Sequence, residues 1–114
     1  MSEKNFVITA RAETGPTLPN GERRSEYGPW QEVTADEGYA INKDKIIVEA
    51  ISERGSENRD ERVFENYVEI IPGTGIELPR TFKVRAFARS SRGYNGGGGA
   101  TEYRYTGDFV KYQQ

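Results

Sequence analysis

Two residue types are missing from this chain altogether: its 114 residues include no cysteine and no histidine. Without thiols there are neither disulfides nor thiolate metal sites, which excludes the disulfide-stapled scaffold of small secreted domains. Without imidazole the commonest general base and nitrogen ligand are gone. Zinc hydrolysis, Ser-His-Asp chemistry and Cys-His chemistry therefore cannot be assembled from these side chains. So thin a catalytic inventory leads us to expect a non-enzymatic protein with no cofactor and no metal.

Long apolar runs and an excess of one charge are lacking too. The opening stretch "MSEKNFVITARAETG" contains no apolar core of the kind that marks a signal peptide, and nothing resembles a membrane-spanning helix. The expectation is a cytoplasmic protein, or a secreted one whose signal peptide has been removed, with no membrane span. A net charge of −2 and a pI near 5.3 argue against a nucleic-acid binder, which needs a basic excess to displace counterions from phosphates. Sustained 3.6-residue apolar periodicity is absent, so little or no helix is expected.

What is present is alternation. "FVITARA" puts Phe6, Ile8, Ala10 and Ala12 on one face, and "FKVRAFA" puts Phe82, Val84, Ala86 and Ala88 on one face with Lys83, Arg85 and Arg89 opposite. "KIIVEAISE" is apolar on both sides, through Ile46, Val48 and Ala50 on one and Ile47 and Ile51 on the other, which predicts a strand covered on both faces. "RVFENYVEII" and "TEYRYTGDFVKY" are further strands, and "WQEVTA" is a shorter one. Gly15-Pro16, Asn20-Gly21, Gly28-Pro29, Pro72-Gly73 and Asn95-Gly96 punctuate them as turns. A chain of this length forms one core, so the prediction is a single all-β domain over residues 1–114. Six to eight antiparallel strands would make a β-sandwich or a compact barrel, with Phe6, Ile8, Ile46, Val48, Phe82 and Val84 in its core. Ile47, Ile51 and Phe87 point away from that core and require cover from a second sheet or another subunit.

A weak threefold correspondence runs through the strands. "FVITARAETG", "IIVEAISERG" and "FKVRAFARSSRG" align apolar residues and an alanine, a glycine follows at 15, 55 and 93, and a tyrosine stands at 27, 67 and 105. Chance similarity between strands explains this as well as a repeated hairpin does. The alignment makes the run Gly96–Gly99 a mobile hairpin loop. A phosphate cradle is excluded, since the run leads into a strand and lacks the lysine and helix start that a P-loop requires.

Aromatic residues are the most pointed surface signal. A flat ring beside an acid or amide suits the C–H faces and hydroxyl fringe of a sugar. Trp30 beside Gln31 and Glu32, and Tyr94 beside Asn95, fit that description; the expected ligand-binding residues are Trp30, Tyr94, Asn95, Tyr27, Tyr67 and Tyr105. The basic stripe Lys83, Arg85 and Arg89, with Arg11 and Arg92, could meet an anion, but alternating charge on a strand is ordinarily its solvated face. The segment with Glu53, Glu57, Asp60 and Glu61 lacks the spaced oxygen donors of a calcium loop. Glu65 and Glu69 share a strand face, yet four residues at about 3.3 Å each set them roughly 13 Å apart. Glycosidase pairs stand roughly 5 to 9.5 Å apart. Two functions follow: a lectin-like, carbohydrate-binding recognition module, or a structural or protein-interaction subunit that forms a homo-oligomer.

Overall fold

The computed structural model describes residues 4–93 and 95–112. Among these residues eight strands run in the order β1 (Lys4–Glu13), β2 (Ser25–Tyr27), β3 (Gln31–Thr34), β4 (Tyr39–Ile41), β5 (Ile47–Arg54), β6 (Ser56–Ile71), β7 (Ile76–Arg89) and β8 (Ala100–Lys111), with one 3-10 turn at Lys43–Lys45. They form two packed antiparallel sheets, an open sandwich and not a closed barrel. In the first sheet β8 is central: β1 pairs with it from Ala100 to Phe109, and β5 and β4 share its other edge. In the second sheet β7 is central, flanked by β6 on one side and by β2 and β3 on the other.

Period-two alternation accounts for the two central strands. Phe82, Val84, Ala86 and Ala88 of β7 are buried, as are Thr101, Tyr103, Tyr105 and Gly107 of β8, while the residues between them face outward. Phe82 is the hub of the core, with ring centroids 6.1 Å from Phe6, 5.1 Å from Phe64 and 5.9 Å from Tyr105. Each such side chain contributes about 1.5–3 kcal/mol by leaving water. Phe6 lies opposite Gly107 in register, and a Cβ there would stand 2.4 Å from its ring; glycine is what lets β1 and β8 close over the aromatic.

Of the predicted core, Phe6, Phe82 and Val84 are buried, and Ile8 and Ile46 pack partly buried against it. Val48 is 44% exposed, contrary to expectation. The whole of β5 departs in the same way: Ile47 and Ile51 are exposed along with Val48 and Ala50. β5 is an edge strand that packs almost wholly on β8, so its inward residues, beside Tyr103 and Tyr105 in register, face an opening between the sheets. Phe87 shows the reverse. It points outward yet is buried, covered by its neighbours Arg59 and Tyr27 and not by another sheet or subunit.

None of the three supposed hairpins pairs its own strands. β1 leads to β2, β5 to β6 and β7 to β8, and each step crosses from one sheet to the other. Tyr27, Tyr67 and Tyr105 accordingly occupy unlike places: outer face, exposed edge strand and core. The tight hairpin is β6–β7, closed by Pro72–Gly75. Its register continues from Tyr67–Pro79 to Ile71–Ile76, beyond the last pairing of β3 at Thr81. The two strands therefore project as an arm, and the described residues measure 60 × 26 × 17 Å.

The glycine run is a packed seam between two crossover loops, not a mobile hairpin tip. Gly99 O accepts from Thr14 N at 2.8 Å, Gly96 O from Thr17 N at 2.9 Å and Gly97 O from Ser91 N at 3.0 Å, while Gly99 N donates to Thr14 Oγ1 at 2.8 Å. A Cβ on Gly99 would meet Arg89 O at 2.3 Å. Glycine is required here because backbone lies directly against backbone.

Candidate functional site

The outer face of the second sheet carries a ladder of alternating cations and aromatic rings. The Arg59 guanidinium lies 3.8 Å from the Phe87 ring centroid, and the Tyr27 ring lies 4.9 Å from Phe87. Arg85 then sits 3.8 Å from Tyr27 and 4.6 Å from Trp30, with Lys83 Nζ 5.6 Å from Trp30. Strand register makes the ladder: Arg59, Phe87 and Tyr27 lie in one cross-strand row, and Arg85 is two residues along β7. Each contact contributes about 0.5–1 kcal/mol at this exposure.

The same face neutralises the basic stripe. Arg85 pairs with Glu61 at 2.8 Å, Arg89 with Glu57 at 2.7 Å and Lys83 with Glu65 at 3.9 Å. The hydrogen bond from Arg89 holds the Glu57 carboxyl below its ordinary range, and Tyr27 and then Arg85 do so for Glu61. Arg11 is paired with Glu102 at 2.9 Å on the other sheet. Alternating charge here is the solvated, self-compensated face of a strand. Among the described residues no cluster of acidic side chains could hold a metal ion, and no helix is long and apolar enough to cross a membrane.

The residues singled out by sequence do not converge. Tyr27 and Trp30 are brought together around Arg85. Tyr67 stands where the arm begins, with Lys43 Nζ 5.3 Å from its ring. Tyr105 is wholly buried and donates its hydroxyl to Asp60 at 2.6 Å; burial and that bond push its phenol up, as burial and Glu53 do for Tyr103. A ring with no exposed face cannot stack on a sugar. Asn95 is exposed at the far end from the arm, in a left-handed turn with φ 62°, and Tyr94 lies outside the described residues.

Two features go beyond the residues singled out from sequence, which had marked only Ile47, Ile51 and Phe87 as apolar side chains in need of cover. An open groove of about 500 Å³ runs beside Tyr27, with Arg11, Glu13, Glu26, Arg54 and Glu102 among its walls; its polar residues come from strands remote in sequence. The second feature is unpartnered apolar surface. Val7 and Ile47, 58% and 69% exposed, flank Thr106 in one row across the first sheet. Ile71 and Ile76 pair at the arm tip, 50% and 48% exposed. The signal was there in the isoleucines bracketing "PGTG".

No family model matches the chain, and no curated protein or solved structure matches it at a significant level.

Proposed function

We propose that the chain is a structural or protein-interaction subunit, acting through β5 and the β6–β7 arm. One observation carries this reading: among the described residues the exposed valines and isoleucines other than Val7 all lie on β5 or the β6–β7 hairpin, at Ile47, Val48, Ile51, Val63, Ile71 and Ile76. Scattered apolar residues are ordinary on a surface, whereas an edge strand apolar on both faces and a projecting apolar arm are what interfaces cover. Hydrogen–deuterium exchange across a concentration series tests it. Amides of β5 and the arm should gain protection as sedimentation reports a heavier species. A monomer at every concentration, with both elements exchanging freely, would sink the reading.

A sugar-binding function draws support from the groove beside Tyr27, where a half-exposed ring adjoins carboxylates and guanidinium groups able to bracket hydroxyls. A glycan array decides it. Hits abolished by Tyr27→Ala with the fold intact support it, and silence across the array removes it.

A further inference from the structure

The arm and β5 differ in shape and charge in a way that names their occupant. The arm is a convex knob with a preorganised tip. Glu69 accepts hydrogen bonds from Gly73 N at 3.1 Å and Gly75 N at 2.8 Å, and the Thr74 hydroxyl donates to Ile71 O at 2.6 Å. The turn thus presents Ile71 and Ile76 on a fixed frame. From Val63 to Pro79 the chain holds Glu65, Glu69 and Glu77 and no lysine or arginine. Glu65 is paired with Lys83 at 3.9 Å and both Glu69 oxygens are taken by the turn amides, so Glu77, opposite Glu69 in register, is the arm's carboxylate without an ion pair among the described residues.

β5 offers the complementary features. Its apolar run Ile47, Val48 and Ile51 is bracketed by Lys45 and Arg54; Arg54 Nε donates to Gly98 O at 3.2 Å, whereas among the described residues Lys45 makes no ion pair. Its own acids are engaged, Glu49 by Arg104 and Glu53 by the Tyr103 hydroxyl. The outer edge of β5 has no strand beside it among the described residues, and neither does the outer edge of β6. At about 3.3 Å per residue β5 is roughly 26 Å long and residues 66–71 of β6 roughly 20 Å, so the arm can find backbone partners along its length. The chain's own arm cannot reach this place, because β6 is tied to β7 from Ser56 to Ile71.

We propose that a second copy of this chain fills the site: the β6–β7 arm of one copy lies along β5 of the next, its isoleucines on Ile47, Val48 and Ile51 and its Glu77 carboxylate toward Lys45. This rests on the subunit reading above. The two surfaces differ, so a contact made once per pair of copies is head-to-tail and propagates into a ring or an open filament.

Mixing half-defective copies tests it. Ile71→Asp with Ile76→Asp disables the arm, and Ile47→Asp with Ile51→Asp disables β5; all four positions are exposed, so circular dichroism and melting should match the wild type. By sedimentation each variant alone should be monomeric and the equimolar mixture should form a dimer and nothing larger, because one competent contact remains per pair. As a second route, Glu77→Lys should weaken association about threefold and Lys45→Glu on the same chain should restore it. If either variant alone assembles like the wild type, the copies use one shared patch, and if the wild type assembles but the mixture stays monomeric, the arm does not seat on β5; in both cases the arm-on-β5 contact is wrong while the subunit reading stands. A wild type that remains monomeric at its solubility limit overturns both.

Discussion

The hydroxyl of Tyr105, on the central strand of the first sheet, donates to Asp60 Oδ2, on the edge strand of the second, at 2.6 Å. It is a polar tie across the open side of the sandwich. Asp60 also accepts from Arg62 Nε at 3.1 Å, so the carboxylate stays partnered when the phenol is removed. Tyr105→Phe should therefore lower stability by about 1–2 kcal/mol and no more. Urea denaturation measures this, and a loss above about 4 kcal/mol would mean that the bond organises more than its own two groups.

The glycine seam separates four adjacent residues by role. Gly99→Ala should cost about 3 kcal/mol, since the new methyl meets the Arg89 carbonyl and neither backbone can withdraw. Gly97 has nothing within 4 Å of a built Cβ, and Gly97→Ala should change stability by less than about 0.5 kcal/mol. Equal melting temperatures for the two variants would refute the packed seam.

Phe87 and Trp30 belong to one ladder but differ in burial, 7% against 39% exposed. Phe87→Ala should cost about 3 kcal/mol, as a core substitution does, because Arg59 and Tyr27 seal the ring from water. Trp30→Ala removes two exposed cation–aromatic contacts and should cost about 1 kcal/mol. The ranking, read from thermal or chemical melts, would invert if the ladder were anchored at its tryptophan.

Glu69 gives the arm a pH dependence. Its carboxyl is held below the ordinary glutamate value by the Gly75 and Gly73 amides and, after them, Thr74. The folded value lies below the unfolded one, so its contribution is complete above the unfolded value and is lost as pH falls through the folded value. The Gly73 and Gly75 amide resonances should report this titration, with the turn loosening in acid. Glu69→Gln should abolish that step, and its persistence in the variant would assign it to another group.

Alternation along β1 and β7 was enough to identify those strands and their inward residues, because period two leaves one face for the core wherever the other carries charge; β8 was legible as a strand, but Tyr105 was expected at the ligand site and lies in the core. The absence of cysteine and histidine likewise set chemical bounds that no packing can alter. "KIIVEAISE" reads the same whether two layers cover it or an open edge exposes it, since a strand's sequence does not say which strands become its neighbours. Pairing decided that, by seating β5 against β8 alone. Phe87 fell on the outward side by parity and was buried by Arg59, a residue on another strand. The four glycines announced a loop in composition, but only the approach of the Thr14 and Arg89 backbones made it a seam. Tyr27 and Trp30 were visible as aromatics, yet what places Arg85 between them is the register of β7 against β2 and β3. Sequence periodicity is a local property and determined the strands; edges, crossovers and interfaces depend on contacts between residues far apart in the chain, which only the folded sheets bring together.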